Sequence, residues 1–275
     1  MRIIAYEPGY NEKHCRVLRA LAAGIPGCEV RPLGQYEPCD IAIIFGAYKR
    51  AYAKTLPKLD ILQRHHGRQL LMVESAFVKR GEYYQVGWGG YAGNADFNTP
   101  IRMPSDRWDR LAVPVSPWRR RSTGPIVVCG QLPWDTQVQD VDHRGWCREM
   151  ITRLHRAGHD AIFAPHPRMR DLDAYGVARK YYRPGQTLAA LLKSARAVVT
   201  WNSTSAVDAI LRGVPAITSH PSSISRAVSQ HTVADVERLE YPDRSAWLAR
   251  LGYAQWTLDE MASGETWDHL NREYV

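Results

Sequence analysis

The chain has 275 residues, 45% of them hydrophobic, with 36 Lys and Arg against 28 Asp and Glu, a formal net charge of +8. That length allows two domains, and the ordinary apolar content supplies a sizeable core to each. No run approaches the 18 apolar residues of a membrane span, and the five cysteines (Cys15, Cys28, Cys39, Cys129, Cys147) make an odd count without paired metal spacing. This argues against a disulfide framework or zinc site and for a reducing cytoplasm. The start, Met1-Arg2-Ile3-Ile4-Ala5-Tyr6, lacks the apolar segment of a signal peptide and enters a strand directly. Charge is unevenly divided along the chain. Residues 1–125 hold 19 Lys and Arg against 11 Asp and Glu, and residues 126–275 hold 17 against 17. A basic first half points to an anionic partner for that half.

In chain order, residues 3–6 read as a strand and 11–23 as a helix opened by Asn11. Residues 28–32 form a strand, and 40–45 (Asp-Ile-Ala-Ile-Ile-Phe) a buried strand closed by Gly46. Residues 49–64 are a basic helical stretch interrupted by Pro57, and 69–73 a strand running into Glu74. The Gly- and aromatic-rich residues 83–94 read as loop or short strands. Residues 114–124, with Trp118-Arg119-Arg120-Arg121, read as the interdomain linker.

The alternation continues in the second half. A strand over 126–129 ends at Gly130-Gln131, and a strand over 161–164 leads into Pro165-His166-Pro167-Arg168. Residues 187–194 read as a short amphipathic helix. Residues 197–200 are an apolar strand, followed by Asn202-Ser203-Thr204-Ser205, a helix bearing Asp208, and a stop at Gly213 before Pro215. Free N–H groups and small hydroxyls at such a helix start suit a phosphate, and a carboxylate in its first turns can reach a ribose diol. Ligands of open α/β sheets bind at the C-terminal strand edge, where all three polar segments fall. From 222 onward the tail reads as mostly helical. One helix is expected over 244–251, and another over 257–274 carries a capping box at Thr257 and Glu260.

The segment 197–217 resembles the nucleotide-binding half of GT-B glycosyltransferases, in which a strand is followed by Ser/Thr or Gly, an acidic residue and a small-residue helix ending in Gly-x-Pro. Asp208 stands here where Glu is commoner. The order Gly-Gln, Pro-His-Pro, then Ser/Thr and acid resembles the capsule-polysaccharide and Kdo-type transferases of that class over residues 124–220, and phage DNA glycosyltransferases share the class. The resemblance implies an α/β fold of two Rossmann-like domains facing each other across a cleft, with C-terminal helices crossing back to the first. The expected division is an acceptor-binding domain, 1–118, and a nucleotide-sugar-binding domain, 119–275, that includes the C-terminal helices. It implies a donor site of Gly130, Gln131, His166, Arg168, Asn202, Ser203, Thr204, Ser205 and Asp208. The co-substrate would be a nucleotide sugar, a UDP-sugar for preference, with no further cofactor and no metal.

An inverting transferase also needs a base for the acceptor hydroxyl. Glu74, on a rigid strand end before Ser75, is favoured over Asp96 and Glu7, whereas a retaining mechanism needs none. Lys49, Arg50, Lys54, Lys58, Arg119, Arg120 and Arg121, with aromatics nearby in sequence, form an expected acceptor surface. Cations interleaved with aromatics suit DNA whose base must be unstacked. The expected acceptor is therefore a hydroxyl-bearing modified base in phage DNA, in the host cytoplasm. Capsule or lipopolysaccharide transfer, a non-catalytic nucleic-acid-binding protein and a nucleotide-sugar epimerase are the rivals.

Overall fold

The computed structural model describes residues 1–274. Two compact units emerge: Met1–Val113 together with the segment from Ser245 onward, and Pro114–Arg244. The first unit runs β1 (Ile3–Glu7), α1 (Glu12–Ala23), β2 (Cys28–Pro32), β3 (Ile41–Phe45), α2 (Pro57–Arg64), β4 (Leu70–Ser75), β5 (Tyr84–Trp88) and α3 (Asp106–Leu111). The second holds β6 (Ile126–Cys129), α4 (His143–Arg156), β7 (Ala161–Ala164), α5 (Leu188–Leu191), β8 (Ala197–Thr200), α6 (Ser205–Leu211) and β9 (Ala216–Thr218). The chain then returns to the first unit with α7 (Ser245–Tyr253), β10 (Gln255–Trp256), α8 (Leu258–Ala262) and α9 (Glu265–Asn271).

The first sheet has the order β10-β5-β4-β3-β1-β2. Strands β1 to β4 are parallel, with Ile3 opposite Ile41 and Ala42 opposite Leu70. Such strands are covered on both faces, which is why Ile41–Phe45 is apolar throughout and fully buried. Asn11 caps α1 by accepting from the His14 N–H at 3.3 Å, and the helix buries Val17, Leu18 and Leu21. Pro57 sits in the first turn of α2, where its missing N–H costs nothing. The basic stretch expected as one interrupted helix is thus a short 3-10 turn, Ala53–Thr55, followed by α2. Within the Gly- and aromatic-rich segment, β5 pairs antiparallel with β4, and every one of its residues is buried.

The expected helix over 257–274 is two helices. The capping box at Thr257 and Glu260 opens α8, and Gly264 at φ +89° breaks the run before α9. Gly24 and Gly264 let α1 approach α8, since a Cβ on Gly24 would lie 2.0 Å from the Met261 carbonyl oxygen. Arg107 is buried under this segment. It donates to Glu260 at 2.8 Å and to the carbonyls of Gly252 and Gln255, with its guanidinium 3.7 Å from the Trp256 ring centre. Residues 222–244, expected to be mostly helical, form only short 3-10 turns, Arg226–Val228 and Val233–Glu237. Side chains replace the helical hydrogen bonds: Gln230 donates to the Arg238 carbonyl and accepts from the Glu240 N–H.

The second sheet, order β7-β6-β8-β9, is wholly parallel. The linker segment packs on this unit. Ser116 donates its N–H to the Leu211 carbonyl and Arg119 to that of Gly213, both at 2.8 Å, while Arg244 donates to the carbonyls of Ser116 and Ile210. By unit, charge falls differently than by sequence half. The first unit carries 18 Lys and Arg against 16 Asp and Glu, a net of +2, and the second 18 against 12, a net of +6. Among the described residues no helix is long and apolar enough to cross a membrane.

Gly213 adopts φ +74°, and a Cβ there would meet the Pro117 carbonyl oxygen at 2.0 Å. Gly213→Ala should therefore destabilise the protein by about 3 kcal/mol or more. Urea unfolding checks this, and an unchanged midpoint would show that the linker can leave its groove.

Candidate functional site

Each sheet reverses its strand order at one point. In the second unit β6 is followed by β7 on one side, and the chain then crosses to β8 on the other. The crossovers diverge there, and it is at the C-terminal strand ends beside such a point that open α/β sheets bind ligands. Gln131, just past β6, and Asn202, just past β8, meet there: the Gln131 Oε1 accepts the Asn202 N–H at 3.3 Å. The Gln131 N–H donates to His143 Nε2 at 3.0 Å. Asn202 Nδ2 donates to Gln137 Oε1 at 2.6 Å and Ser222 Oγ at 2.7 Å, and Ser222 Oγ lies 2.6 Å from His220 Nδ1. His220 stacks on Trp201, which meets Trp146 edge-on. The carboxamide oxygen of Asn202 and the indole N–H of Trp201 are buried without a partner. Buried polar atoms are rarely left so, and a ligand can satisfy both.

The expected donor residues all fall on this unit, in different roles. Gly130 gives way to rings, since a Cβ would lie 2.6 Å from Phe163 and 2.7 Å from Tyr175. The helix begins at Ser205, not at Asn202. Asn202 is 2% exposed and spent on the polar network, and Ser205 is turned inward against the Cys129 thiol, which burial pushes up to about 12. Ser203 Oγ accepts the Ser205 N–H at 3.1 Å, so Ser203 and Thr204 are the half-buried members at the edge. His166 Nδ1 accepts the Arg168 N–H at 3.1 Å, which leaves Arg168 exposed beyond β7. Asp208 approaches Arg212 one turn on, at 3.9 Å.

In the first unit the reversal lies between β1 and β3. Glu7 ends β1 but is held by Arg19 in two hydrogen bonds, 2.7 and 3.0 Å. Glu74 lies at the same edge, near the end of β4, with Oε1 accepting the Ser75 N–H at 2.7 Å. Asp96 does not. It bridges Trp88, which pairs with Leu71 near the start of β4, so it sits at the opposite sheet edge beside Arg68. Gly46, at φ +63°, leaves room between Glu74 and α2: a Cβ would be 3.0 Å from Glu74 Oε2 and 3.7 Å from Lys58 Nζ. Lys58 is not on the basic surface expected for it. It is 4% exposed and donates to the Phe45 carbonyl, because the first turn of α2 faces the sheet edge. Burial pulls its ammonium down to about 8, partly offset by Glu74. Half-buried Arg119 and exposed Arg121 donate to the carbonyls of Leu192 and Lys193 after α5, and Arg120 lies over Tyr241.

His14 is absent from the sequence reading and stands at this edge, in the first turn of α1. Its ring stacks on Phe45 at 3.8 Å, Asn11 Nδ2 is 3.2 Å from its Nε2, and its Nδ1 is buried without a partner. The signal was positional: a histidine in the first turn after the first strand of an alternating sheet. Gln137, His143, His220 and Ser222 had no such signal, because only the folded loops bring them to Asn202.

No family model and no curated protein matches the sequence. Solved structures do match in shape. The KpsC β-Kdo 2,7 transferase of Thermosulfurimonas dismutans superposes with a TM-score of 0.55 at 10% identity, covering 98% of either chain. The β-Kdo 2,4 transferase of the same KpsC gives 0.54 at 14% identity, over 92% of this chain and 89% of that one. The chain therefore shares its two-sheet α/β fold with these Kdo transferases, in keeping with the α/β alternation of the sequence.

Burial pushes both His14 and His143 down to about 4. The neighbouring lysines add to the shift at His14, whereas Asp135 and Asp142 oppose it at His143. Both rings bind a proton more weakly folded than unfolded, so their contribution is full above about pH 6.5 and is lost as pH falls towards 4. Stability should drop by about 1.4 kcal/mol per pH unit for each ring over that window. Urea midpoints measured across it check the slope, and His143→Gln should flatten it.

Proposed function

We propose that the chain is a nucleotide-sugar-dependent glycosyltransferase, holding its donor at the β6/β8 edge of the second unit and its acceptor at the β1/β3 edge of the first. The observation that carries this is the unpartnered, buried carboxamide oxygen of Asn202, fixed by Gln131, Gln137 and Ser222 where the strand order reverses. An acceptor atom so placed takes a hydrogen from a nucleotide's ribose or base. Ser203 and Thr204 line the approach for a diphosphate, His166 and Arg168 supply positive charge to the leaving group, and Asp208 takes the ribose diol. A UDP-sugar is the donor to try first. Glu74 accepts the proton of an acceptor hydroxyl as that oxygen attacks the anomeric carbon and the nucleoside diphosphate departs.

The acceptor best supported is a glycan of the capsule or lipopolysaccharide kind. The two fold relatives are Kdo transferases. The footprint expected for DNA is reduced, since Lys58 is buried and Arg119 and Arg121 are spent on main-chain carbonyls. Lys49, Lys54 and Arg120 remain of it.

Calorimetry with UDP and other nucleotides tests the donor half. Asp208→Ala should weaken binding by about 1–3 kcal/mol, and unchanged affinity removes it from the site. For the chemistry, Glu74→Gln should lower turnover about a hundredfold or more while nucleotide affinity holds. Normal turnover in that variant would point to a retaining mechanism or to Glu7. Transfer to hydroxymethylated DNA, read as a mass gain, would restore the DNA acceptor.

A further inference from the structure

The β1/β3 edge holds more positive charge than the fold needs there. Lys58 Nζ is buried with the Phe45 carbonyl as its partner, beside the gap left by Gly46. Lys54 Nζ lies 4.8 Å from the centre of the Tyr10 ring, in the loop that follows β1. The segment bearing Lys49 and Lys54 is fixed by buried Thr55, whose Oγ1 accepts the Lys49 N–H at 2.9 Å and lies 3.0 Å from the Lys49 carbonyl and 2.8 Å from that of Tyr52. Burial first, and then the charges of Lys58, Lys13, Lys49 and Lys54, disfavour a proton on His14. With Nε2 facing the Asn11 amide, His14 carries its hydrogen on Nδ1, and that N–H is buried without an acceptor.

Mutual repulsion of ammonium groups and an unmet N–H both disfavour the folded state. One kind of group removes both costs, an oxyanion. We propose that His14, Lys49, Lys54 and Lys58 form a subsite for an oxyanion, a carboxylate or a phosphate monoester, carried by the acceptor beside Glu74. The subsite rests on the acceptor assignment for the first unit, and it narrows the acceptor from any hydroxyl-bearing glycan to an acidic one. The oxyanion would take the His14 Nδ1–H and the lysine charge. Glu74 would remain for the hydroxyl, since its own charge repels the anion.

The test follows the imidazole resonances of the full-length protein, with His14 assigned by their loss in His14→Gln. Inorganic phosphate, glucuronate and glucose are titrated separately, with UDP present so that the second unit is occupied. The His14 signals should move on adding phosphate or glucuronate and stay in place with glucose. The double variant Lys49→Ala, Lys54→Ala, whose changes lie outside the strands and α-helices, should weaken the anion response about tenfold or more. A response to glucuronate alone assigns a carboxylate, and one to phosphate alone a phosphate ester. Signals that do not move with either anion overturn the proposal. So does an equal response to glucose, or an unchanged response in the double variant. UDP affinity, measured on the same samples, reports on the donor site by itself, so its failure is separable from failure of the subsite.

Discussion

Reversal of strand order beside the first strand of each sheet is the constraint on which the rest of this structure depends. Between β1 and β3, and again between β6 and β8, consecutive crossovers leave in opposite directions. His14, Gly46, Lys58 and Glu74 lie at the first reversal, and Gly130, Gln131, Trp201 and Asn202 at the second.

The remainder of the fold holds those edges still. Buried apolar strands such as Ile41–Phe45 and Ala197–Thr200 set the sheet positions, and side chains fix the loops that follow. Gln131 and Asn202 tie the loops after β6 and β8 to each other, while Thr55 ties Lys49 to Tyr52. Arg107, buried against Trp256 and Glu260, anchors the returning C-terminal segment to the first unit. These polar contacts cost desolvation that an apolar core would avoid. At the two strand ends some of the buried donors and acceptors, those of His14, Trp201 and Asn202, are left without a partner.

Much of the element order was legible in sequence because its signals are local. Asn11, Thr257 with Glu260, and Gly213 declared helix ends through their own backbone chemistry, and each acts there in the structure. Readings that needed a partner fared differently. Lys58 looked like part of a basic face but is buried. Arg119 and Arg121 looked like a free cationic run and instead cap carbonyls. The division of charge into a basic and a neutral half dissolved once the C-terminal segment, with five acidic residues against two basic, joined the first unit.

The sequence by itself determined the α/β alternation, the polar segments at strand ends and the GT-B resemblance, since these reside in periodicity, caps and short motifs read within a few residues. Only the tertiary structure decided which polar side chains gather at the C-terminal strand ends and which serve the fold. Asn202 meets Gln131 across 71 positions of chain, and Glu74 parts from Asp96 because strand register sends them to opposite ends of one sheet. Those outcomes depend on pairing between distant strands, and no window of sequence contains both partners.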